Sequence, residues 1–413
     1  MTELMSPCGS FETLNAAIKA GCDSVYFGVK QLNMRTGRAK NFEISDLNKI
    51  KNICAKNNVK CYLALNSIVY DEELKEVDKI LNAAKKSKID GVIASDWCVI
   101  TKANKLGISV NISTQQSCSN IEALKFFAKH CDRIVLAREL SLEQIKDIKE
   151  KILNNKIKGR SGKLMEIEVF CHGAMCISVS GRCFMSQFVY SCSANRGQCL
   201  QNCRREYIIK DAEEGHELKL SKGYVLSPKD LCTLPILDEI IKKARPDVLK
   251  IEGRGRSVDY VYKVTKAYKE ALNAITIGTY DRRTKEKLID NLKGVYNRDF
   301  CKGFFLGKPL DEWCKAYGSK AVKKKMHIGK VVNYFPKAQV AEVLIESNSD
   351  KLMKGDDIAF SGETTGYFFD KANEICDSKT NKQILAAKRK DLVTLKVSQK
   401  LRKNDRMYVI RNS

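Results

Sequence analysis

Glu3-Leu4-Met5-Ser6, then Ser10-Phe-Glu-Thr-Leu-Asn-Ala-Ala-Ile-Lys-Ala20, then Ser24-Val25-Tyr26-Phe27: a short apolar strand, an amphipathic helix and a second strand. This unit decides the fold because the chain repeats it. Further candidate strands are Lys60–Leu65, Gly91–Ser95, Ser109–Ile112, Arg133–Ala137, Glu166–Phe170 and Val248–Ile251. Each is short and bounded by polar or turn residues, as strands buried in a parallel sheet are. Helical patterns such as Asp71–Ser87 and Ser141–Leu153 fall between them. After the eighth strand Ser257 reads as an N-cap, and Val258, Val261, Val264, Thr265 and Tyr268 keep one helix face apolar. Eight β/α units predict an α/β fold, a (β/α)8 TIM-like barrel over residues 1–275; a doubly wound open sheet is the competing arrangement.

The seventh unit breaks the rhythm. About 77 residues, 171–247, separate its strand from the eighth, and they hold a cysteine cluster and a polar stretch, Lys210–Gly223. In a barrel the loops after the strands form the catalytic face, so an insertion there is a natural site. On the same face would sit Asn66, Gln115, Arg138-Glu139, His172 and Glu252-Gly253-Arg254, each just past a strand. Any one of them alone reads first as an ordinary loop or cap residue; their convergence is the stronger signal.

Residues 276–320 loosen into polar and aromatic sequence and read as a segment packing back on the barrel. Residues 321–413 differ in kind: Val331–Tyr334, Gln339–Ile345, Asp357–Phe360, Leu392–Val397 and Arg406–Ile410 are β runs punctuated by turns. They predict a small antiparallel β-barrel. Its basic stretches, Lys323-Lys324-Lys325, Lys388-Arg389-Lys390 and Lys400–Arg406, suit an RNA-binding surface.

The whole chain carries 73 Lys+Arg against 49 Asp+Glu, a formal charge of +24. Such an excess attracts polyanions, although lysine-rich usage also follows from genome composition. No apolar run is long enough for a membrane span, and residues 1–6 lack the pattern of a signal peptide, so a soluble cytoplasmic protein without a membrane partner is the expectation. Of 17 cysteines, ten are scattered, mostly in apolar runs, and read as small buried hydrophobes. Six crowd into 171–203 and a seventh, Cys232, follows; in a reducing compartment such a cluster points to metal or catalysis rather than disulfides. Zinc ribbons carry Cys-x2-Cys knuckles, and none occurs here. The wide spacings from Cys176 to Cys183, Cys199 and Cys232 suit an iron–sulfur cluster gripped from separate loops, with structural zinc or simple burial as the other readings.

Glu168-x-Phe-x-His-Gly-Ala-Met-Cys176-x3-Ser-Gly-Arg-Cys183-x2-Ser, followed by Asn195-Arg-Gly-x-Cys199-x3-Cys203-Arg204, resembles the signature of peptidase family U32, the collagenase-like peptidases. Ala16-Ala17-x3-Gly21-x2-Ser24-Val-Tyr-Phe-Gly28, Ser113-Thr114-Gln115, Leu136–Leu140, Ser227–Cys232 and Leu249–Arg254 agree with it, and the likeness spans at least residues 3–310. The family includes tRNA wobble-uridine hydroxylases, a ribosomal-RNA cytidine hydroxylase and an oxygen-independent ubiquinone hydroxylase pair. The resemblance implies a 4Fe-4S cluster on Cys176, Cys183, Cys199 and Cys232, with Cys203 in reserve and Cys171 and Cys192 incidental. It implies prephenate as co-substrate and hydroxyl source, tRNA as partner, and an electron donor for the cluster. The basic C-terminal region favours the tRNA branch and 5-hydroxyuridine as product.

The roles implied are a carboxylate clamp by Arg138 or Arg254, proton movement by His172, and Glu252 as base or as the orienting partner of Arg254. Asn66 and Gln115 would complete the site. The alternatives are a peptidase, a ribosomal-RNA cytidine hydroxylase, or a non-enzymatic RNA-binding protein with a structural metal. Neither His-Glu-x2-His nor Gly-x-Ser-x-Gly occurs to support proteolysis.

Overall fold

In a computed structural model, which describes residues 2–37, 39–219, 224–308 and 312–412, the strands β1 (Glu3–Pro7), β2 (Ser24–Phe27), β3 (Lys60–Leu65), β4 (Gly91–Ala94), β5 (Val110–Ile112), β6 (Arg133–Val135), β7 (Glu166–Ala174) and β8 (Val248–Ile251) pair in parallel in chain order. β8 pairs with both β1 and β7, which closes the barrel and excludes the open sheet. The helices between strands form where the sequence supplies caps. Ser10 caps helix Phe11–Lys19 through a reciprocal pair with Thr13, and Ser141 accepts from the Gln144 amide while Gln144 Oε1 accepts from the Ser141 amide at 2.9 Å. Their apolar faces and the outward faces of the strands merge into one continuous core.

Inside the barrel an aromatic and aliphatic layer of Met5, Tyr26, Tyr62, Ile93 and Val248 is threaded by buried charge. Arg133 donates to both carboxylate oxygens of Glu3, at 3.0 and 2.9 Å, and to Glu166 at 2.7 Å. Lys250 Nζ donates to Glu168 Oε1 at 2.6 Å, with both side chains sealed from solvent.

β7 continues four residues beyond its expected end at Phe170. The extension is held by Asp230–Cys232, antiparallel to it with Cys232 opposite His172, and by Phe300–Cys301 beyond that. Gly173 sits there at φ 110, and a Cβ on it would stand 2.5 Å from the Glu252 carbonyl oxygen. Of the polar stretch Lys210–Gly223, Ile208–Lys210 and Glu217–Lys219 pair as a hairpin, and 220–223 lie outside the described residues.

The C-terminal region is a seven-stranded antiparallel sheet around its own core, with the order Gly366–Lys371, Asp357–Gly362, Arg406–Asn412, Lys323–Phe335, Val340–Ile345, Leu392–Lys396, Ile375–Asp377. It docks on the barrel through Ala16, Val258, Ala359, Tyr367 and Ile410. Arg406 pairs with Glu12, and Lys325 with Asp259, across the junction. No helix among the described residues is long and apolar enough to cross a membrane.

Candidate functional site

A cavity of about 200 Å³ opens at the C-terminal mouth of the barrel, roofed by the cysteine-rich insertion. Its floor is Tyr26, Phe170 and Lys250, from the barrel interior. Its walls include Arg35, Asn66, Gln115, Arg138, Glu252 and Arg254 from five different strand ends, and its roof includes Cys176, Cys183, Cys199 and Cys203. Three of the four expected cysteines therefore meet at one cavity, and Cys203 joins them. Burial raises the Cys203 thiol; Arg204 opposes this, and the neighbouring Cys176, Cys199 and Cys183 add to it.

Cys232 does not reach this cavity. Strand pairing turns it toward helix Val258–Thr276, where it is fully buried with Sγ 3.9 Å from the Tyr268 hydroxyl, its thiol pushed up to about 12 by burial. His172 is a second departure. Its side chain is packed among Tyr260, Tyr268 and Phe300 outside the cavity, with Nδ1 3.4 Å from the Tyr268 hydroxyl. Burial, aided by Arg256, lowers it to about 3, so it is neutral at physiological pH and cannot shuttle protons there as an imidazolium.

Glu252 is the third. Its partner is Arg35, which donates through Nη2 at 2.6 Å and Nε at 3.2 Å, and not Arg254. Burial would raise the Glu252 carboxyl, but Arg35, Arg256 and Arg138 outweigh it and hold it at about 2. A carboxylate that acidic is a poor base near neutrality.

Asn66 and Gln115 lock each other: Asn66 Nδ2 donates to Gln115 Oε1 at 2.8 Å, and Gln115 Nε2 returns to the Asn66 carbonyl at 2.6 Å. Arg138 donates to the Ala174 carbonyl at 3.0 Å, which ties it to the end of β7, while its Nε has no partner among the described residues. Arg254, buried over the Tyr26 ring, likewise leaves Nη1 without a partner among the described residues; burial lowers it to about 10. Gly28 makes room for this guanidinium, since a Cβ there would stand 2.5 Å from Nη1.

Conspicuous polar residues of the central motif hold the roof together. Asn195 Oδ1 accepts from the Cys183 amide at 3.0 Å. Ser186 accepts from the Leu200 amide at 3.0 Å and donates to Asn202 at 3.1 Å. Arg204 bonds Ser227, Pro228 and the Met175 carbonyl, and Arg196 pairs with Glu73 at 2.6 Å while stacking on Tyr70.

Arg35 and Lys250 belong to the site but were not singled out from sequence. Arg35 lies in a loop without periodicity. Lys250 carried a usable signal, a lone charge inside an apolar strand. Among the described residues no three His, Cys, Asp or Glu side chains are grouped to hold a single metal ion. The roof's donor set is four thiols within the one insertion 176–203, and a cubane cluster takes four thiolates, so this set fits a cluster in kind.

A (β/α)8 barrel with a cysteine-roofed, arginine-lined mouth defines the class structurally. The sequence profile of peptidase family U32 matches residues 9–315, and the chain belongs to that family. A relative named "Collagenase", from Porphyromonas gingivalis, is 43% identical over 407 residues, 98% of this chain and 97% of its own length. "tRNA hydroxylation protein P1" of Bacillus subtilis is 31% identical, covering 97% of this chain and 92% of its own length. "23S rRNA 5-hydroxycytidine C2501 synthase" of Escherichia coli is 31% identical over 66% of this chain and 39% of its own length.

Proposed function

We propose that this chain is an oxygen-independent RNA hydroxylase, forming 5-hydroxyuridine at the tRNA wobble position with prephenate as hydroxyl donor. A 4Fe-4S cluster would be held by Cys176, Cys183, Cys199 and Cys203. The observation that carries the reading is the composition of one cavity: four cysteines in its roof above Arg35, Arg138, Lys250 and Arg254. Bound there, the cluster would supply one-electron chemistry next to the donor.

The chain's own residues account for binding. Buried guanidinium nitrogens without partners, Arg138 Nε and Arg254 Nη1, carry a desolvation cost that a carboxylate relieves. A dicarboxylate such as prephenate can engage both. Glu252 fixes Arg35 at the wall and stays ionised. Lys250 holds its proton at Nζ on Glu168, on the floor. The relatives named for tRNA and ribosomal-RNA hydroxylation support RNA as the substrate class, and the charge of +24 supports a polyanion.

The relative named as a collagenase is the observation favouring a peptidase. Against it, no histidine is among the described residues lining the cavity, so its thiols lack the base that a cysteine peptidase uses. Mass spectrometry of nucleosides from cells lacking this protein tests the reading. The expected result is loss of 5-hydroxyuridine derivatives from tRNA, restored by the wild type and not by Cys183→Ala. Intact tRNA with hydroxycytidine missing from ribosomal RNA would move the assignment to that RNA, and unchanged RNA of both kinds would refute it.

A further inference from the structure

The rim of the cavity carries a surface that the chemistry within does not use. From Cys176 to Arg205 the chain has four arginines and neither a lysine nor an acidic residue. That composition runs against a lysine-rich chain, so genome bias does not explain it. Arg196 and Arg204 are committed to holding the roof, while Arg182 and Arg205 are exposed. Among them stand Phe184, Phe188 and Tyr190, with Phe184 57% and Phe188 87% exposed. The two phenyl rings lie 6.0 Å apart, and the Arg205 guanidinium lies 5.1 Å from the Tyr190 ring centroid. The short helix Met185–Tyr190, which follows Phe184 and carries Phe188 and Tyr190, sends Met185 and Ser186 into the cavity wall, so the aromatics sit at its edge. Rings left in water lose the hydrophobic benefit of burial, and a cluster of them beside a site marks a binding surface.

We propose that Phe184, Phe188, Tyr190 and Arg205 form a stacking platform for unpaired bases of an RNA loop, flanking the nucleotide that enters the cavity. This rests on the RNA-modifying reading above. Phenyl, phenol and guanidinium planes all stack on bases regardless of sequence. The exposed Arg182 and Arg205 suit the phosphates that accompany those bases.

The test uses the full chain and two labelled probes, a stem-loop RNA with an unpaired loop and a fully paired RNA duplex. Stacking is worth roughly tenfold in affinity per base. Phe184→Ala combined with Phe188→Ala should weaken stem-loop binding by about tenfold or more and leave duplex binding within about twofold. Phe188→Trp should keep stem-loop affinity near wild type, which a merely disrupted roof would not allow. Equal losses on both probes would overturn the platform. Unchanged stem-loop affinity would overturn it too and leave the rim to a protein partner. A wild-type chain that binds neither RNA would contradict the RNA reading itself along with the platform.

Discussion

Arg254 and Lys250 are four residues apart and differ in what burial asks of them. Lys250 spends its charge on Glu168, whereas Arg254 keeps Nη1 unspent beside the cavity. Arg254→Gln should therefore weaken binding of a dicarboxylate such as prephenate by about tenfold or more, read by calorimetry, because it removes a charge-assisted hydrogen bond. Breaking the floor pair is different. Glu168→Gln alone should cost about 3–5 kcal/mol of stability, since it strands a buried ammonium. Glu168→Leu with Lys250→Met should recover most of that in denaturant unfolding, and a double variant no more stable than Glu168→Gln would contradict the account of the pair.

His172 gives a pH signature. Its folded value near 3 lies below its ordinary range near 6.5, so the unfolded chain takes up a proton first. Stability is unaffected above about pH 6.5 and declines as pH falls toward 3. His172→Asn should flatten that decline, and a parallel decline would contradict the burial argument. The arginines after strand ends were legible from position alone. The partner of Glu252 was not, because Arg35 comes from an aperiodic loop.

At the scale of elements, β2, β3 and β8 begin and end at the expected residues, since compact apolar runs bounded by turns leave little choice of register. β7 did not read correctly. His172 and Gly173 look like a loop, yet a bulge at Cys171 in β7 and the added strand Asp230–Cys232 extend it. That extension decides which cysteines meet, because pairing with His172 draws Cys232 into the core. The displacement is a long-range effect that spacing within the chain cannot reveal. Gly173→Ala should destabilise the chain by about 1–3 kcal/mol, since it forces a side chain into a left-handed backbone against the Glu252 carbonyl. A melting temperature within a degree of wild type would contradict the packing described.

At the scale of the molecule, the barrel and the C-terminal sheet share an apolar seam and several ion pairs, and the sheet carries exposed basic residues. Two domain classes were evident from the change in hydrophobic period near residue 321. The strands Gly366–Lys371 and Ile375–Asp377 were missed because Tyr367-Phe368-Phe369 is an apolar run without alternation and Ile375–Asp377 is too short to show a period. Lys388, Arg389 and Lys390 are exposed. Exchanging all three for glutamate should weaken RNA binding across sequences and lower the slope of log affinity against log salt by about 1 for each phosphate no longer neutralised. An unchanged slope would place the RNA elsewhere.

On the proposed reading the cavity's own four thiols hold an iron–sulfur cluster. Iron and sulfide content with absorption spectra, measured on anaerobically purified wild type, Cys203→Ser and Cys232→Ser, tests it most directly. The account predicts a brown wild type, a Cys232→Ser variant that stays brown, and a Cys203→Ser variant that loses its cluster. A colourless wild type, or loss of the cluster with Cys232→Ser while Cys203→Ser keeps it, would contradict the account.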